Sequence, residues 1–124
     1  MKQIQQQLQY AFTLHQQGQL QLAEHIYQQV IALDAKNFDA LHLLGVLQTK
    51  QKNLELADSY FERAIQVNPT NALCHYNYGI ALFDMKRYQD SIASYGRAIT
   101  LNPAHATAHY NRGNAYQALK NFEQ

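Results

Sequence analysis

The sequence predicts an all-α chain, a solenoid of helix-turn-helix hairpins with seven main helices. Three observations carry that expectation. The small residues Gly45, Gly79 and Gly113 recur every 34 residues, and Ala11 stands one period earlier. Each period holds two stretches whose apolar residues follow the i, i+3, i+4 spacing of a helix face. Each full period closes on a turn-forming pair: Asp34-Ala35, Asn68-Pro69 and Asn102-Pro103.

The period holds in other rows as well. Ala23, Ala57 and Ser91 form one, and the rings of Tyr27, Phe61 and Tyr95 form another. Val30, Ala64 and Ala98 follow, each succeeded by an isoleucine, Ile31, Ile65 or Ile99. Repeats of this length are stacking units, because one hairpin cannot bury its own apolar face. The expected units span 4–37, 38–71 and 72–105, with a truncated fourth over 106–124, all in one domain.

In the first unit, Gln-rich helical stretches flank Gly18, a turn position where a positive φ is cheap for glycine. The glutamines alternate with Leu, Tyr and Ala at helical spacing, so an ordered helix face is expected rather than a low-complexity tract. In the second, Leu41, Leu44 and Leu47 mark a helix up to Lys50. After the polar break Gln51-Lys52-Asn53, the residues Leu54, Ala57, Phe61, Ala64 and Ile65 mark another, which Asn68-Pro69 stops. The third unit repeats this plan through Tyr78, Gly79, Ser91 and Tyr95 to Pro103. Lys52, Lys86 and Lys120 share the inter-helix turn level with Gly18. The fourth unit has its first helix only, leaving Ala115, Tyr116, Leu119 and Phe122 without the cover their counterparts have. Tyr116, Leu119 and Phe122 are therefore the expected self-association residues, and a homo-oligomer through that uncapped end is expected.

These residues resemble the tetratricopeptide repeat, the TPR. The second unit carries Leu41-x-x-Leu44-Gly45, Ala57-x-x-x-Phe61 and Pro69. The third carries His75-x-x-Tyr78-Gly79, Ser91-x-x-x-Tyr95 and Pro103, and the fourth His109-x-x-Arg112-Gly113-x-x-Tyr116. The family's tryptophan is replaced by Gln7, Leu41, His75 and His109. The resemblance implies a right-handed α-α superhelix that holds a protein or peptide segment against the first helices. On that wall it places Leu8, Phe12, His42, Val46, Tyr76, Ile80, Phe83, Tyr110 and Asn114. It also implies a partial asparagine ladder at Asn77 and Asn111, broken at Leu43, similar to the repeat region of O-GlcNAc transferases. Such amides could contact a ligand backbone, or simply bridge neighbouring helices. A second reading follows: a substrate-recruiting TPR region of a larger glycosyltransferase of that kind.

Other chemistries find little support. The carboxylate clamp of some members of that family implies Lys and Asn at the levels that Leu8 and Phe12 hold here, so that activity is not expected. Six histidines invite a metal, but His75 and His109 read as ring-filling residues, and Cys74 shares its level with Ala40 and Ala108. Ser91 belongs to a packing row, so no Ser/His/Asp site is expected, and no phosphate loop or HExxH run is present. The expectation is a non-enzymatic scaffold with no cofactor and no metal. The net charge of +1, with 15 % charged residues, argues against nucleic acid as partner. No stretch approaches the roughly 18 apolar residues of a membrane span, so no membrane insertion and a soluble, cytoplasmic protein are expected.

Overall fold

A computed structural model describes residues 2–123 of the chain. It contains seven helices in series: α1 (Lys2–Gln16), α2 (Leu20–Leu33), α3 (Phe38–Lys50), α4 (Leu54–Val67), α5 (Ala72–Asp84), α6 (Tyr88–Leu101) and α7 (Ala106–Glu123). They pair as α1–α2, α3–α4 and α5–α6, and α7 packs on α6. The first helices α3, α5 and α7 also touch across the stack and form one wall.

The turns inside the hairpins are built alike. The N–H groups of Gln19, Asn53 and Arg87 each donate to a carbonyl five residues back, on Leu14, Gln48 and Leu82. That 6→1 closure needs a left-handed residue just before it. Gly18 (φ 82°) fills the place cheaply, whereas Lys52 (φ 65°) and Lys86 (φ 63°) adopt it against the preference of a side-chain-bearing residue. Lys120, expected at the same level, lies inside α7 instead. The helix continues through it, and the Phe122 ring one turn end settles edge-on against Tyr88, 6.4 Å between centroids.

The glycine row has a measurable reason in two of its three members. A Cβ on Gly45 would stand 2.9 Å from the Phe61 ring, and one on Gly79 would stand 2.6 Å from Tyr95. A Cβ on Gly113 would meet nothing within 4 Å. The core itself forms two continuous clusters. Ala11, Ala23, Tyr27, Val30, Ala40 and Leu44 belong to the first. Leu41, Ala57, Phe61, Cys74, Tyr78 and Leu82 belong to the second. Between α4 and α5 the buried Tyr78 hydroxyl donates to Asp58, which Arg87 also approaches at 3.7 Å. Burial first, and then the hydrogen bond to Asp58, hold the Tyr78 hydroxyl in its protonated form.

Candidate functional site

The first-helix wall brings part of the expected row together. Ile80 and Phe83 from α5, with Asn111 and Asn114 from α7, surround a hollow of about 180 Å³ whose remaining wall is Tyr95 of α6. Helical spacing explains the four: Ile80 and Phe83 are three apart, as are Asn111 and Asn114, so each pair shares a face. Tyr95 was legible as a packing ring but not as part of the wall. No residue type could have singled it out, since Tyr27 carries the same ring and hydroxyl at the same register. Burial pushes the Tyr95 hydroxyl up to about 12, so it stays neutral and able to donate.

The remaining expected wall residues divide. Tyr110 (71 % exposed), Phe12 and Asn114 face solvent, and Leu8, Val46 and Tyr76 are half-buried. His42 is buried at 6 % exposure, with its ring against Phe38 and Phe61, and so is closed to a ligand as it stands. Its ring packs between Phe38 and Phe61 and its Nε2 is engaged by Asn77, so the position is core rather than open wall. Burial lowers the His42 imidazole to about 4, against the weaker pull of Asp39 in the other direction.

Both ladder asparagines bridge neighbouring first helices. Asn77 Nδ2 lies 2.9 Å from His42 Nε2, which the neutral ring offers as an acceptor. Asn111 Nδ2 donates to the Tyr76 hydroxyl at 3.1 Å. Each spans 35 residues, one repeat plus one, and the apolar pair Leu8 and Leu43 stands at the same two levels at the start of the chain. An amide held through its nitrogen keeps its carbonyl oxygen as an acceptor.

Two cations at and just past the end of α3 have partners of their own. Lys50 Nζ lies 3.3 Å from His15 Nε2, and Lys52 pairs with Asp84 at 3.4 Å. His15 is lowered from its usual range by burial and, secondarily, by Lys50. His75 and His109 share one device: their Nε2–H groups donate to the carbonyls of Pro69 and Pro103, at 2.7 and 2.9 Å. His75 is buried and His109 exposed. Among the described residues, no three His, Cys, Asp or Glu side chains converge as metal ligands. Cys74 is fully buried and its thiol is pushed up to about 12, so it is a packing residue and a poor nucleophile. Ser91 is also fully buried, its hydroxyl donating to the Gly79 carbonyl at 2.8 Å. No described helix is long and apolar enough to cross a membrane.

Two family profiles match the chain. One, described as "TPR repeat", matches residues 79–120. The other, described as "Anaphase-promoting complex, cyclosome, subunit 3", matches residues 8–98. The chain belongs to the tetratricopeptide-repeat family. Its fold is the all-α TPR solenoid. No curated protein matches it. Among solved structures, a mutant O-GlcNAc transferase of Thermobaculum terrenum is 30 % identical, with a TM-score of 0.87, over 90 % of this chain and 22 % of that one. A crystal structure of MamA is 25 % identical, with a TM-score of 0.83, over 89 % of this chain and 64 % of that one. The first TPR of Spaghetti (RPAP3), bound to the HSP90 peptide SRMEEVD, is 18 % identical with a TM-score of 0.92. It shares the fold over 96 % of this chain and 94 % of its own. The TPR solenoid here thus spans about a fifth of the transferase chain and under two thirds of MamA.

Proposed function

We propose that this TPR solenoid is a protein-interaction scaffold that holds an uncharged, apolar or aromatic segment of a partner protein along its first-helix wall. The observation that carries the reading is the hollow bounded by Ile80, Phe83, Tyr95, Asn111 and Asn114. Its apolar sides suit an anchoring side chain, and its two amides suit the adjoining backbone. Leu8, Phe12, Val46, Tyr76 and Tyr110 extend that surface along the stack, and Asn77 adds a third amide. The RPAP3 domain with its HSP90 peptide supports peptide capture as a use of this fold. That peptide is acidic, and the uncharged wall here suits a different ligand.

The test is selection from a displayed peptide library. Enrichment of neutral peptides with Leu, Phe, Tyr or Trp anchors is expected, with affinity little changed by salt. Ile80→Glu should abolish that binding while circular dichroism shows the helices intact. Enrichment of acidic C-terminal sequences, or binding indifferent to Ile80→Glu, would sink the reading.

A second reading has its own support in the 30 % identity to the transferase chain. Under it, the same wall recruits the protein substrates of a larger O-GlcNAc transferase-like glycosyltransferase. Co-expression with a transferase domain encoded in the same gene or operon tests it. Substrate modification that is lost with Ile80→Glu supports recruitment, and modification indifferent to that change opposes it.

A further inference from the structure

Three of the first helices begin at one register, on Asn37, Asn71 and His105, spaced 34 residues apart. The two asparagines cap in the same manner. Asn37 Oδ1 accepts from the Ala40 N–H at 3.0 Å, and Asn71 Oδ1 accepts from the Cys74 N–H at 2.9 Å. At the third start an imidazole replaces the amide. His105 Nδ1 accepts from the Ala108 N–H at 3.2 Å, with the Thr107 hydroxyl 3.1 Å from the same nitrogen. An amide oxygen accepts at any pH, but an imidazole nitrogen accepts only while it carries no proton.

We infer that His105 is a proton-sensitive cap, and that protonating it loosens the start of α7 and with it the Asn111 and Asn114 side of the groove hollow. A proton on Nδ1 would point a second donor at the Ala108 N–H. It would also place a positive charge at the positive end of the α7 dipole. The groups around the ring do little to offset this. From α5 comes the Tyr76 ring, 4.6 Å between centroids, with Tyr95 of α6 behind it at 5.9 Å. From α7 come Thr107 and, one turn on, His109. None of the ion pairs among the described residues includes His105. The Tyr76 face attracts a cation and so holds the ring in place, but it cannot restore the lost acceptor. The same Tyr76 accepts from Asn111, so the cap and the wall of the hollow share a residue.

The link to ligand binding rests on the groove reading above, whereas the cap itself is tested without ligand. The experiment is amide hydrogen exchange on the full chain, corrected for the intrinsic pH dependence, with the Asn-capped start of α5 as the control inside the same molecule, since the start of α3 carries His42. From about pH 8 to about pH 5.5, the amides of 108–112 should open about fivefold more readily relative to that control. His105→Asn should abolish the change, because it installs the cap used at Asn37 and Asn71. His105→Ala should show the looser α7 at both pH values. An unchanged ratio in the natural chain, or the same pH response in His105→Asn, would overturn the inference. Failure of peptide capture alone would count against the groove reading and leave the cap standing.

Discussion

At the scale of single residues, one register position is used in two ways. Gly79 leaves room for the Tyr95 ring, which is 2 % exposed and cannot retreat, whereas a Cβ on Gly113 would meet nothing within 4 Å. Gly79→Ala should therefore cost about 1–2 kcal/mol through overpacking, even after the roughly 1 kcal/mol that alanine gains over glycine within a helix. Gly113→Ala should keep that gain, stabilising by about 0.5–1 kcal/mol. Urea unfolding of both variants checks the pair, and equal effects would mean that the ring contact does not decide. His42 supplies a second residue-scale prediction. Its imidazole sits at about 4 in the fold, against 6.5 when free, so the unfolded chain takes up the proton first. The contribution is present in full above pH 6.5 and is lost as pH falls toward 4, by about 3 kcal/mol at most. His42→Leu, which places the residue of Leu8 at the same level, should flatten the unfolding midpoint between those two pH values. An unchanged slope would show that the ring is more open to water than its packing against Phe38 and Phe61 implies.

At the scale of elements, the three hairpin turns close identically on residues of unequal fitness. Lys52 and Lys86 hold a left-handed φ that Gly18 holds without strain. Lys86→Gly should stabilise the α5–α6 hairpin by about 0.5–1 kcal/mol, the relief of left-handed strain less the added entropy of glycine in the unfolded chain. Lys52→Gly should gain less, because it also removes the ion pair with Asp84. Thermal midpoints of the two single variants check the order. These turns show what the sequence could and could not disclose. The rows of Gly45, Phe61 and Pro69 exposed every hairpin, because packing repeats wherever the chain repeats. Lys120 misled, because its level predicts a turn while the local ladder and the contact of Phe122 with Tyr88 favour more helix. His105 was silent, because histidine has no strong preference for helix starts and its capping depends on one nitrogen's geometry. Asn77 and Asn111 were visible as a row, but whether an amide faces a ligand or the neighbouring helix depends on which acceptor lies 35 residues back.

At the scale of the whole stack, α7 leaves one face open. The face that α5 gives to α6, through Gly79 and Leu82, has its counterpart on α7 at Gly113 and Tyr116, and Tyr116 is 54 % exposed there. Leu119 is half-buried, and Phe122 is 76 % exposed beyond its contact with Tyr88. Helices within a hairpin run antiparallel, so two α7 helices related by a two-fold axis would meet as α5 and α6 do. A two-fold contact is self-complementary, so a pairing that sets Tyr116 of one copy opposite Gly113 of the other makes that contact twice. The empty space beside Gly113 is then filled by a ring, as the Tyr95 ring fills it beside Gly79. The chain should accordingly self-associate, and sedimentation velocity over a wide concentration range should show a monomer–dimer equilibrium. Tyr116→Lys should shift it to monomer, and so should Gly113→Leu, since a branched side chain occupies the space that a partner ring needs. The Gly113 variant is the sharper test. It leaves every apolar residue of the face in place, so loss of the dimer would locate the contact at that hollow rather than in general stickiness. A clean monomer at high concentration in the natural chain would remove the prediction altogether. A dimer indifferent to Gly113→Leu would move the contact away from the centre of α7, toward Leu119 and Phe122.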